Sequence, residues 1–201
     1  MNRGTLVALE GLDGCGKSTQ LLRLAAVLRA RSRDVVVTRE PSDGPTGQRI
    51  RAMARSGQPV APAEELRWFQ DDRREHVARV IAPALAAGRW VLTDRYFLST
   101  VAYQGARGLD WREILAASEA EFPSPDAALI FELPVADGLA RARARGGPAE
   151  PVFERADYLE RVAAIFAAIE RPYLVRVDAS GDEAAVSERA LAALRARLDL
   201  D

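Results

Sequence analysis

Two hydrophobic patterns alternate along this chain: short unbroken apolar runs, and longer stretches with apolar residues three and four apart. The runs are Thr5 to Glu10 (TLVALE), Val35 to Thr38 (VVVT), Trp90 to Asp94 (WVLTD), Ala127 to Leu133 (AALIFEL) and Tyr173 to Asp178 (YLVRVD). Their shortness and β-branched content mark strands buried in a parallel sheet. Helical periodicity separates them, at about 18–32, 47–55, 63–87, 110–121, 135–145, 155–169 and 183–198. Strands alternating with helices predict an α/β fold: one five-stranded parallel sheet covered by helices on both faces, with ligands at the carboxyl ends of the strands. Residues 1–201 read as a single domain, with no internal repeat and no disordered linker. One loose stretch, residues 146–151 (GGPAEP), joins two helices. It reads either as part of a mobile flap at about 141–154 or as a plain connector.

Between the first strand and the first helix stands Gly11-Leu12-Asp13-Gly14-Cys15-Gly16-Lys17-Ser18, which fits the phosphate-loop pattern G-x-x-x-x-G-K-[ST] at every fixed position. A strand feeding a glycine-rich turn into a helix presents converging N–H groups and the positive end of the helix dipole to an anion. The chain is therefore read as binding a nucleoside triphosphate, on a P-loop NTPase-type three-layer fold. Ser18 would put its hydroxyl on the magnesium ion that accompanies the nucleotide. Composition sharpens this reading. Lys17 is the sole lysine; the other 27 of the 28 basic residues are arginine. An ammonium is a compact point charge that fits inside a ring of backbone groups against a phosphate oxygen, and a planar guanidinium does not.

A net charge of −1 provides no basic field for nucleic acid. No apolar run reaches membrane-spanning length, and the first strand meets Glu10 too soon for a secretory signal. A cytoplasmic location with no membrane partner is expected. The lone cysteine, Cys15, excludes an internal disulfide and fits a reducing compartment. With His76 as the one histidine, the chain lacks the residues for a zinc site or a Cys/His catalytic pair. His76, in a charged helical stretch, is read as a surface residue. Cys15 is read as a small loop residue whose thiol the helix terminus could acidify.

Polar residues gather where two strands end. The second strand runs into Arg39-Glu40-Pro41 and the third into Asp94-Arg95-Tyr96. Two arginines beside a phosphate loop suit a second phosphate, and Asp94 could hold magnesium through water as a Walker B carboxylate does. The alternative for each is a salt-bridged strand end. On the helix at about 63–87, Leu66, Phe69, Val77, Val80 and Ile81 form an apolar stripe, and Arg73 falls on it four residues past Phe69. That pair could stack on a nucleobase and hydrogen-bond a carbonyl at its edge; otherwise Arg73 snorkels beside a core phenylalanine.

These residues together resemble the thymidylate kinase family. The resemblance spans nearly the whole chain, through GLDGCGKSTQ (11–20), TREP (38–41), WFQDDRREHV (68–77), DRYFLSTVAYQGA (94–106), RARARG (141–146) and VDAS (177–180). It implies magnesium-dependent transfer of the γ-phosphoryl group of ATP to dTMP, in a homodimer. By the same resemblance, residues 11–19, including Thr19, together with Arg143, bind ATP, while Lys17, Asp94, Arg95, Arg141 and Arg145 serve transfer. Ser18 and Asp94 serve the metal. Phe69 is implied to stack on thymine and Arg73 to bond a base carbonyl. Arg39 and Arg95 take the phosphate of the monophosphate, and Asp13 the sugar 3′-hydroxyl. Thr100 and Gln104 lie near the base, and Tyr103 lies where a ribose 2′-hydroxyl would intrude. Spacings of three and four put Thr100, Tyr103 and Gln104 on one helical face. The chain departs from the family pattern in three places. Gly14 stands where one branch has arginine. No Asp-Arg pair follows Pro148. Residues 42–47 (SDGPTG) replace a more glycine-rich segment. Arg141 and Arg145 share a helical face and Arg143 does not, so at most two of them reach one phosphate; solvated surface is the other reading of this cluster. The alternatives to dTMP phosphorylation are another P-loop nucleotide or nucleoside kinase, or a non-catalytic nucleotide-binding regulator. A guanine-type Asn-Lys-x-Asp motif is impossible, since the one lysine is at position 17.

Overall fold

Strand β1 (Leu6–Gly11) is buried at all six positions and forms the middle of the sheet. Its side chains alternate between two cores, Leu6 and Ala8 facing one and Val7 and Leu9 the other, as a period of two requires. In the computed structural model, which describes residues 3–145, 152, 153 and 155–198, four further strands flank it. They are β2 (Val35–Arg39), β3 (Trp90–Asp94), β4 (Ala127–Glu132) and β5 (Leu174–Asp178), in the order β2-β3-β1-β4-β5, every pair parallel. The predicted strands match these to within one residue at each end.

β3 inserts between β1 and β2, while β4 lies on the other side of β1. The chain thus changes direction across the sheet beside β1, and the crevice this opens lies at the carboxyl ends, where ligands of such sheets bind. The register sets Leu9 against Asp94 and Gly11 against Phe131, so the phosphate loop leaves β1 level with the ends of both neighbours.

Helices α1 (Lys17–Ala30) and α9 (Glu183–Arg197) cover one face through Leu21, Leu24, Val186 and Leu194. The other face is covered by α2 (Pro45–Ser56), α3 (Pro62–His76), α4 (Ala82–Ala86), α5 (Phe97–Ala106), α6 (Trp111–Glu121) and α8 (Ala156–Ala168). Helix α7 (Val135–Arg145) leads out of β4. The ends of these helices are marked in the sequence: Asp110 and Asp182 accept backbone N–H bonds at the starts of α6 and α9. No helix among the described residues is long and apolar enough to cross a membrane. Residues 146–151 and Glu154 of the expected flap, and the side chain of Arg145, lie outside the described residues.

Two helical expectations are corrected. The single helix predicted at about 63–87 is α3 and α4 joined by a π turn, Val77–Ile81. Pro83, just beyond it, has no N–H to give to the Arg79 carbonyl, so the ladder is broken there and the turn widens. Helix α5 is absent from the predicted helices. Every residue of it except Gly105 is buried, and its polar residues Ser99, Thr100 and Gln104 face the larger cavity described below rather than open solvent.

Candidate active site

The phosphate loop closes around its lysine. Lys17 is the first residue of α1 and is buried, and its Nζ donates to the carbonyls of Gly11 (3.0 Å) and Leu12 (2.7 Å). Gly14 has φ +81°, and a Cβ there would lie 2.0 Å from the carbonyl oxygen of Gly138 in α7. This chain therefore has no room for the arginine that one branch of the resembled family carries at that position. Ser18 donates its hydroxyl hydrogen to Asp94 Oδ2, bringing one hydroxyl and one carboxylate together at the mouth of the loop. Among the described residues no group of three or more His, Cys, Asp or Glu side chains could hold a metal ion. A pair of hard oxygens still fits magnesium, which keeps several waters and takes further ligands from substrate phosphates.

Arg95 follows Asp94 with φ +69°, a strained left-handed backbone for a residue with a Cβ. That turn aims its guanidinium back over the loop. Nη1 donates to Ser99 Oγ (2.9 Å) and to the Gly11 carbonyl (3.3 Å), and Nη2 to Asp13 Oδ1 (2.7 Å) and the Tyr103 hydroxyl (3.2 Å). Burial alone would depress its pKa, but Asp13, Tyr103 and Asp94 outweigh that and hold it well above the ordinary arginine value. Behind Ser99 lies Glu10, fully buried, accepting from the Ser99 hydroxyl (2.5 Å) and the Tyr96 N–H (2.9 Å).

Two adjoining cavities, of about 150 and 200 Å³, share Asp13, Arg39, Glu40 and Arg95 in their walls. The smaller lies against Lys17 and Ser18, and the larger is lined by Phe69, Thr100, Tyr103 and Gln104. Arg73 stands behind the larger one, 1% exposed, which excludes a snorkelling arginine. Its Nε and Nη2 donate to Glu40 Oε2 at 2.8 and 2.6 Å, and Nη2 donates to Thr100 Oγ1 at 2.9 Å. The rings of Tyr96 and Phe122 lie 5.4 and 5.5 Å from the guanidinium carbon. Its Nη1 has no partner, and neither has Gln104 Oε1.

Of the residues expected from the sequence, Lys17, Ser18, Asp94, Asp13, Arg39, Arg95, Phe69, Thr100, Tyr103 and Gln104 line these cavities, with Arg73 directly behind. Arg39 is the most exposed of the arginines there and donates to Asp43 Oδ1 (2.7 Å). Arg141 is directed elsewhere: its guanidinium donates to the carbonyls of Ala179 (3.1 Å) and Gly181 (3.3 Å) after β5. Arg143 is exposed on α7. His76 corrects the expectation of a surface residue. It is 3% exposed, with Nδ1 against Glu40 Oε1 (3.0 Å) and Nε2 against Thr38 Oγ1 (2.6 Å). Ser42 is fixed by Asp72, which accepts from its N–H and hydroxyl at 2.7 and 2.6 Å.

Sequence reasoning missed Glu10, Glu40, Glu65 and Phe153 as parts of the site. Phe153 lines the larger cavity edge-on to Tyr103, with ring centroids 5.9 Å apart. The one sequence signal was indirect: Arg73 on an apolar stripe needs a partner of opposite sign, and the fold supplies Glu40.

Burial pushes the Glu10 carboxyl up to about 7 from 4.5, against the opposing Ser99 hydrogen bond and the Arg95 and Arg73 charges. The native state therefore keeps, between these two values, a proton that the unfolded chain has released. The stability this confers is fully present below about pH 4.5 and is lost as pH rises through about 7. Glu10→Gln, which cannot ionise, should gain stability relative to the wild type across that window, by on the order of 3 kcal/mol. Urea unfolding of both proteins from pH 4.5 to 8 checks this, and parallel pH profiles would contradict it.

Residues 9–190 match the family model described as Thymidylate kinase. The thymidylate kinase of Desulfotalea psychrophila is 46% identical over 178 residues, covering 89% of this chain and 88% of that protein. That of Xanthomonas campestris pv. campestris is 46% identical over 195 residues, covering 97% and 85% respectively. That of Xanthomonas oryzae pv. oryzae is 47% identical over the same span and coverage. With the phosphate loop, the Arg95 turn and the aromatic-lined cavity in their expected order along the chain, it belongs to the thymidylate kinase family.

Proposed function

We propose that this chain is a magnesium-dependent kinase that transfers the γ-phosphoryl group of ATP to dTMP, giving dTDP and ADP. The observation that carries the reading is the polarity of the larger cavity. Gln104, in its wall with Phe69, has an acceptor without a partner, Oε1, and Arg73, behind the wall, has a donor without one, Nη1. Thymine carries an acceptor, O4, next to a donor, N3–H, which is the complementary pair. Family membership and the names of the relatives support the same conclusion.

In this reading a phosphate oxygen of dTMP attacks the γ-phosphorus, the bond to the β,γ-bridging oxygen breaks, and ADP departs. The nucleophile is already an anion, so no general base is needed; the protein positions groups and neutralises charge. Lys17 moves from the loop carbonyls to the nucleotide phosphates. Arg95 and Arg39 hold the phosphate of dTMP, and Asp13, oriented by Arg95, takes the sugar 3′-hydroxyl. Ser18 and Asp94 would hold magnesium, which would supply neutralisation of charge at the nucleotide phosphates. Tyr103, buried against Arg95, Phe153 and Tyr158, fills the space a ribose 2′-hydroxyl would need. Arg143 and, once released from the Ala179 and Gly181 carbonyls, Arg141 would supply further charge at the nucleotide phosphates; the rest of the expected flap at about 141–154 lies largely outside the described residues.

A coupled assay of ADP release with each monophosphate in turn is expected to single out dTMP; equal rates with several monophosphates would refute the reading. Lys17→Arg preserves charge but not shape and is expected to nearly abolish transfer in a folded protein; retention of most activity would contradict this. Arg73→Ala is expected to be destabilised by about 3–5 kcal/mol, because it leaves Glu40 buried without its guanidinium. Arg73→Lys keeps a charge on Glu40 but loses Nη1, and isolates base recognition better. Its KM for dTMP should rise about tenfold or more, the loss of one buried hydrogen bond to the base, with the KM for ATP within about twofold. Equal damage to both substrates would remove Arg73 from base recognition.

A further inference from the structure

The acceptor that Gln104 offers to the base is set by a residue that does not line the cavity. Glu65, on α3, is 0% exposed and stands behind Gln104, also 0% exposed, on α5. Gln104 Nε2 donates to Glu65 Oε1 at 2.8 Å. Arg107 Nη1 donates to Glu65 Oε2, and its Nη2 donates to the Val60 carbonyl (2.8 Å), so the carboxylate is gripped from its far side. An amide can present either its oxygen or its NH₂ by a half-turn about its last bond, and the two ends have nearly the same shape. Polarity here decides between them. A guanidinium only donates and an ionised carboxylate only accepts, so Glu65 demands the NH₂ end of Gln104. Oε1 is left without a partner, in a residue that lines the cavity.

We propose that Glu65 is a positioning residue for base selectivity, locking the Gln104 amide so that it accepts from N3–H of thymine and rejects the unprotonated N3 of cytosine. This rests on the dTMP reading above and extends it from the residues lining the cavity to a carboxylate behind them. The relay runs from Arg107 through Glu65 to Gln104, each group fixing the polarity of the next. A base that offers an acceptor at N3 would meet an acceptor, and the half-turn that relieves it would set the amide oxygen against the Glu65 carboxylate.

The test is Glu65→Gln, assayed with dTMP and with 5-methyl-dCMP, which differ only at the N3 and C4 edge. Arg107 would draw the oxygen of the introduced amide, whose NH₂ then faces Gln104 and turns it around. The ratio of kcat/KM for dTMP over 5-methyl-dCMP is expected to fall by about tenfold or more, mainly through KM for dTMP, with KM for ATP unmoved. In a Gln104→Met background the same change should leave the ratio within about twofold, since no amide remains to turn. Arg107→Met leaves the buried Glu65 without its cation, favours its protonated form, and is expected to lower the ratio as well. Should Glu65→Gln not fold, Glu65→Leu releases the amide from its constraint and is expected to lower the same ratio. An unchanged ratio in the folded Glu65 variant, or an equal fall in the Gln104→Met background, overturns the proposal. If the wild type does not phosphorylate dTMP at all, the reading of the site fails first; if it does, and the ratio holds, the role of Glu65 alone is wrong.

Discussion

A guanidinium withdrawn from water must be met by an anion, and the burial of Arg73 against Glu40 ties the site together. Arg73 comes from α3, Glu40 follows β2, and Thr100, the other acceptor of Arg73, comes from α5. Glu40 also faces His76, whose far nitrogen meets Thr38 on β2. One carboxylate thus fixes where a helix, a strand end and a second helix stand relative to one another. Such a pair adds little net stability over an apolar core, but breaking it is expensive, so it enforces one arrangement.

The same device recurs behind three further polar groups. Glu10 holds Ser99, which holds Arg95; Glu65 holds Gln104; Asp72 holds Ser42. In each case a buried carboxylate uses up one end of a polar side chain and so decides which end is left for a ligand. The side chains lining the cavities come from the phosphate loop, the ends of β2 and β3, and helices α2, α3 and α5. Without carboxylates behind them, their rotamers would be free to pair among themselves. An oriented site of this kind suits phosphoryl transfer, where the protein's contribution is placement and charge.

The sequence by itself determined the sheet and the phosphate loop, since both are written in contiguous residues. A buried strand is its own apolar run, and the loop is eight consecutive positions whose lysine stands alone among arginines. Arg39, Asp94 and Arg95 were legible for the same reason, as polar residues at the ends of apolar runs. The roles of Phe69, Tyr103 and Gln104 came from resemblance, because no local pattern separates a cavity wall from a core. Helix α5 was missing from the helices read by periodicity, and only the spacing of Thr100, Tyr103 and Gln104 hinted at it, because its polar side turns to a cavity and not to water. His76 misled because its neighbours in the chain are charged while its neighbours in space are Glu40 and Thr38. Only the tertiary structure chose between a snorkelling and a buried Arg73, and only it brought Glu10, Glu65 and Phe153 to the site. Their partners lie tens of residues away, and a carboxylate in a sequence looks the same whether it meets water or a guanidinium. Burial and pairing are properties of how helices pack on a sheet, and packing is decided by contacts between segments that no single stretch of chain contains.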